Sequence, residues 1–159
     1  MKCDLLGRTL VAALLGSCLA GVLSAAEGDE AFLRRRLAQF DREAGSGNLD
    51  AMMELFSDDA VVLGAGQAPL AGKESIRAWW KGILDQFKSQ EVHEVGAVTS
   101  IGETVVLQGS ARGTFVPNAG GSAVQIDSWF LHVYRRKPDG SLRLWRGAFG
   151  PNAPAAQSR

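Results

Sequence analysis

The sequence predicts an α+β domain, with helices first and then a curved antiparallel sheet wrapped around them as a cone. Three observations predict it. Apolar residues follow helical spacing through most of the first half, up to about Lys88. From Glu91 onward the period changes to two. Gly- and Pro-rich turns then divide the second half into long strands, an order of helices followed by strands that defines the class.

The elements follow in order. Lys2 and Arg8 precede an apolar run from Thr9 to Leu23, and Ser24-Ala25-Ala26 ends it with small residues. That order predicts a removable signal peptide over residues 1–26. The run is short for a membrane span. Cleavage leaves 133 of 159 residues, enough for one domain with one core. Cys3 and Cys18 both lie in the leader, so the mature chain has no disulfide and no thiolate chemistry. Leu15-Gly16-Ser17-Cys18 offers a competing route, lipidation at Cys18, but the apolar residues after it favour plain export to the periplasm or medium.

Leu33, Leu37, Phe40 and Ala44 make one helical stripe over Glu30 to Ala44, with Asp29 as its cap and Gly45-Ser46-Gly47 as its end. Asn48 caps a short second helix with Leu49, Met52, Met53 and Phe56 on its buried side. Asp58 and Asp59 follow at its exit, where turn formation is the commoner role. Ala60 to Leu63 is a short strand and Gly64 to Pro69 a loop. A third helix runs from Lys73 to about Lys88, with Ile76, Trp79, Trp80, Ile83 and Phe87 on its stripe. Glu91–Ser100, Thr104–Val116, Ala123–Lys137 and Leu142–Phe149 read as strands. The domain covers 27–152, and 153–159 is a tail.

The full chain carries 17 basic and 17 acidic residues, and no basic balance suggests nucleic acid. Arg34–Arg36 and Arg135–Lys137 read as solvated faces. His93 and His132 have no partner at metal-ligand spacing, so no metal site is expected. No nucleophile elbow and no phosphate loop is present, and no cofactor is expected.

The stretches "NLDAMMELFSDDAVV", "GKESIRAWW", "IDSWFLHVYRRKPDGSL" and "RGAFGPN" resemble the SnoaL-like and ketosteroid-isomerase-like cone domains, related to nuclear transport factor two. The resemblance implies a cystatin-like cone and little about function, because one scaffold hosts many chemistries. A ketosteroid isomerase needs a carboxylate base, a tyrosine and a neutral carboxylic acid in its pocket. The matching positions hold Gly64, Phe40 and Asp127, so two of the three groups are missing.

Alternation divides the third long strand into two faces. Asp127, Trp129, Leu131 and Val133 share one, which the resemblance assigns to the pocket. Ser128, Phe130, His132 and Tyr134 share the other, so Phe130 and Tyr134 are expected at a homodimer contact on the outer side. Asp127 and His93 are the candidate proton-transfer groups. Phe40, Trp79, Trp80, Trp129 and Leu131 are the candidate apolar ligand contacts. Arg112 and Arg146 are candidates for binding a carboxylate. The leading expectation is an exported domain that binds a small apolar or aromatic molecule. The alternatives are a cofactor-free isomerase, cyclase or lyase using Asp127, and a non-catalytic structural dimer with a filled cone.

Overall fold

The computed structural model describes residues 9–152, with side chains from Gly28 onward. The tail at 153–159 lies outside the described residues, as do the side chains of the leader expected over 1–26. Helix α1 spans Thr9–Ser46 and α2 spans Leu49–Met53. Strand β1 (Phe56–Gly64) and the two-residue β2 (Leu70–Ala71) precede helix α3 (Lys73–Gln86). Four strands complete the chain: β3 (Phe87–Ile101), β4 (Thr104–Pro117), β5 (Val124–Arg136) and β6 (Leu142–Pro151). They form one open sheet of order β2-β1-β6-β5-β4-β3. Every neighbouring pair is antiparallel except β1 with β6. No helix among the described residues is long and apolar enough to cross a membrane.

The α+β expectation holds, and the helices occupy the concave side. Leu33, Leu37 and Ala44 of α1 are buried against the sheet, as are Ile76 and Trp80 of α3. The turn between α1 and α2 needs Gly47, whose φ is 75°, and Asn48 then accepts a hydrogen bond from the Ala51 backbone N–H.

Curvature comes from the long β3–β4 hairpin. Its register shifts between Val95 and Ala97, an irregularity of the kind that bends a strand. On β4, a Cβ at Gly109 would lie 2.4 Å from the Phe130 ring and 2.3 Å from the Glu94 carbonyl. A Cβ at Gly113 (φ 145°) would lie 2.1 Å from the Gln90 carbonyl. Only glycine lets the strands close to that distance.

Several local expectations change. Asp29 lies inside α1 and is no cap; its buried carboxylate accepts from Arg136 at 2.6 and 2.7 Å and from Ser100 at 2.7 Å. Arg136 is therefore a buried-pair partner and not part of a wholly solvated run. Phe56 starts β1, which extends the short strand backward to include Asp58 and Asp59, and both carboxylates are exposed. Asp58 pairs with Lys73 at 2.6 Å.

The face assignment of β5 is reversed. Phe130 and Tyr134 are 3% and 5% exposed, whereas Trp129 and Leu131 are 44% and 42% exposed. Alternation fixes which residues share a face but not which face meets the helices, and a slip of one residue exchanges them all. The ring space left by Gly109 takes Phe130 from the concave side. Phe130 and Tyr134 therefore belong to the core and are not available for a subunit contact.

Candidate functional site

Between α1, α3 and the concave sheet face lies a cavity of about 350 Å³. The cone is therefore not filled by side chains. The register defines its two ends. Trp79, Phe115, Phe149 and Ile126 line one end, while Arg36, Leu55, Tyr134 and Leu144 line the other. Aromatic rings pack edge to face between them. Phe40 lies 5.2 Å from Trp80 and 5.5 Å from the His93 ring, and Trp79 lies 5.0 Å from Trp80.

His93 projects from β3 into this space, beneath α1. Its Nδ1 lies 2.6 Å from Oδ1 of Asp41, which follows Phe40 on α1. The backbone N–H of His93 donates to Oδ2 of the same carboxylate at 3.1 Å. The two side chains are 13% and 14% exposed. A carboxylate only accepts, so Nδ1 donates, and in the neutral ring that tautomer leaves Nε2 as the acceptor. The double contact holds the ring by both its backbone and its nitrogen. This is an imidazole with an orienting carboxylate partner, beside aromatic rings.

Beyond His93, the Phe130 ring lies 5.4 Å away and stacks on His132 at 4.4 Å. His132 Nδ1 lies 3.3 Å from the Tyr134 hydroxyl. Burial holds the His132 imidazole down at about 3, with His93 adding to the effect, so His132 stays neutral. Burial likewise pushes the Tyr134 phenol up, against a smaller opposing influence from Arg36. Glu91, two residues before His93 and on the same face, also lines the cavity. Burial raises its carboxyl above the usual range, and Asp41 adds to that while His93 opposes it.

The expected site residues divide. Phe40, Trp79, Trp80 and His93 line the cavity. Trp129 and Leu131 stand on the convex face for the reason given for β5. Asp127 reaches only the cavity edge. Its carboxylate is 60% exposed, accepts from Asn152 at 2.6 Å and faces Arg112 at 3.5 Å, which makes it a strand-end pairing residue. Arg112 is 65% exposed in that pair and does not face the cavity. Arg146 stacks on Trp145 at 4.1 Å and donates to the Asp59 and Trp145 carbonyls, so it too is outside.

Glu91, His132, Tyr134 and Arg36 were not expected in the pocket, nor was Asp41 expected behind His93. Only Asp41 left a readable signal: it lies four residues after Leu37, so it shares the flank of the buried stripe. A carboxylate there calls for a partner.

A family model for the SnoaL-like domain matches residues 34–145, and the chain belongs to that family. Solved structures share the fold. A conserved protein from Planctomyces limnophilus superposes with a TM-score of 0.73 at 19% identity, covering 79% of this chain and 99% of that one. A ketosteroid isomerase-like protein from Erwinia carotovora atroseptica gives 0.68 at 17%, covering 78% and 96%. An NTF2-like protein with a cystatin-like fold from Novosphingobium aromaticivorans gives 0.66 at 23%, covering 87% and 90%. No curated protein matches the chain. This fold family often holds pockets and includes isomerases and dehydratases.

Proposed function

We propose that the protein is a cofactor-free isomerase or lyase acting on a small, largely apolar or aromatic molecule, with His93 as general base and Asp41 as its orienting partner. One observation carries the reading: the 2.6 Å contact between Asp41 and His93, whose ring lines an aromatic cavity. A binding module needs the aromatic walls but not a carboxylate-oriented imidazole.

In this mechanism the substrate's flat apolar body lies against Phe40, Trp80 and Phe130. His93 Nε2 removes a proton from a carbon next to a carbonyl. The electron pair of that C–H bond moves into the carbonyl as an enolate. The imidazolium stands beside the Asp41 carboxylate, which offsets its charge. Returning the proton to a different carbon completes an isomerisation. Expelling a β-substituent as the carbonyl reforms completes an elimination. A positioned base of this kind contributes about 10²–10⁴-fold in rate.

A panel of small cyclic and aryl ketones, followed for product by absorbance or chromatography, tests this. His93→Gln is expected to lose about 10²-fold or more in turnover while ligand affinity changes little. Equal turnover by His93→Gln contradicts the assignment.

We also propose export with cleavage after Ala26 and assembly as a homodimer. The order of charged, apolar and small residues before Glu27 supports export, and intact-mass measurement of exported protein tests it. The convex face carrying Trp129, Leu131 and Val92, each more than 40% exposed, supports a sheet-mediated contact in place of the one expected at Phe130 and Tyr134.

A further inference from the structure

We infer that Arg36 is an anion-binding end of the cavity, and that the molecule it takes is a small monocarboxylic acid with an apolar or aromatic body. The placement of the acid's reacting carbon rests on the reading of His93; the anion site itself does not.

Arg36 lines the cavity at the end bounded by Leu55, Tyr134 and Leu144. It is the only arginine among the described residues that line the cavity, and its charge is not met by a neighbouring carboxylate. Arg34 pairs with Glu30, Arg77 with Asp50, Arg112 with Asp127 and Arg136 with Asp29. Among the described residues Arg36 is in no ion pair. Its one side-chain hydrogen bond runs from an NH1 group to the neutral Oε1 of Gln39, at 3.0 Å. On its other side the guanidinium stacks over Phe32 at 5.3 Å. These contacts orient the planar fork without supplying a negative charge, and they leave further N–H donors for a bidentate partner.

The neighbours strengthen the imbalance. Arg143 adds a second positive charge close enough to act on Arg36, and Glu54 is a weaker, opposing influence. Tyr134 sits in the same end, but its phenol is held neutral by burial and cannot serve as the counter-anion. A half-buried, partly desolvated guanidinium with no ion-pair partner is costly unless an anion arrives from outside. The rest of the wall is apolar, so the anion belongs to a molecule whose body fills an aromatic space.

Arg36 and His93 both line the cavity, and Phe40 and Phe130 line the wall with them, which suits a molecule with a phenyl-sized body.

Matched probes test the inference: 3-phenylpropanoate and 4-phenylbutanoate against their primary amides, by isothermal titration. In the wild type each acid is expected to bind about 10-fold or more tightly than its amide, the strength of a charge-assisted fork. Arg36→Gln is expected to remove the preference, and His93→Gln to retain it. Arg36→Lys keeps the charge and loses the fork; it is expected to weaken the acids several-fold and leave the amides unchanged. Equal binding of acid and amide to the wild type overturns the inference, as does a preference that survives Arg36→Gln. So does an equal loss for both probes in Arg36→Lys, which serves as the second variant if Arg36→Gln fails to fold. Acid preference without turnover of any carbon acid would sink the His93 reading and leave this one standing. Turnover without acid preference would do the reverse.

Discussion

Replacing Arg136 with Met tests whether α1 is clamped to the sheet by charge. Asp29 is 5% exposed, and its two oxygens receive Arg136 at 2.6 and 2.7 Å and Ser100 at 2.7 Å. Arg136→Met keeps much of the apolar stem and removes the cation, so Asp29 retains only the serine. Breaking a buried pair from one side costs about 3–5 kcal/mol. Arg136 is itself 31% exposed, so water already screens part of the interaction. That screening places the loss somewhat below this range, at about 2–3 kcal/mol. For a domain of this size that is a fall of roughly 6–15 °C in Tm. Urea and thermal unfolding followed by circular dichroism give the value. The double variant Asp29→Asn/Arg136→Met should recover part of the loss, because no buried charge is then left alone. A loss below about 0.5 kcal/mol, or a double variant as unstable as the two singles added, would refute a charge clamp. The clamp also has a functional reading. Arg36, Phe40 and Asp41 all ride on α1, so a loosened helix should weaken ligand binding as well.

Three further outcomes follow from the packing. His132 is held at about 3 in the fold against 6.5 when exposed, so the unfolded chain binds the extra proton between those values and stability falls as pH falls through that window. Relative to His132→Gln, the wild type should lose about 1–3 kcal/mol from pH 6.5 to 3.5; a full shift implies more, but the ring borders the cavity and is partly screened. Glu91 works in the opposite sense and is common to both proteins, so it cancels in the comparison; a flat difference contradicts the burial of His132. Gly109→Ala forces a methyl against the Phe130 ring and the Glu94 carbonyl, and should cost about 1–3 kcal/mol in urea unfolding, whereas an unchanged midpoint would mean the hairpin can flatten freely. Leu131→Glu on the convex face should convert the proposed dimer to monomer in sedimentation, with little change in Tm; a wild-type monomer at high concentration removes the dimer.

The fold was legible because it rests on periodicities that local sequence carries. Leu33, Leu37, Phe40 and Ala44 announce a helix whatever they pack on, and Pro138-Asp139-Gly140 breaks a strand whatever follows. The short β2 was not legible, because two residues, Leu70 and Ala71, carry no period. The site was legible only in its walls. Phe40, Trp79 and Trp80 declare themselves by size and stripe, and His93 by its place on an alternating strand. Its partner Asp41 lies 52 residues away on another element, and no local pattern records that contact. The exposed setting of Asp127 was not legible for a related reason. Alternation places it with Trp129 and Leu131 correctly, but it is silent on which side of the sheet the helices cover. The space at Gly109, filled by Phe130, decides that, and it appears only when β4 and β5 are paired.

In the proposed mechanism His93, held by Asp41, removes a proton from carbon. Deuterium wash-in measures that step alone, without requiring the natural product to be known. A bound aryl ketone is incubated with the protein in D₂O, and loss of its α-proton signal is followed by NMR. Exchange is expected well above the buffer rate in the wild type, falling about 10²-fold or more in His93→Gln at saturating ligand. Tight binding with no exchange above buffer, or the same exchange in His93→Gln, would contradict it.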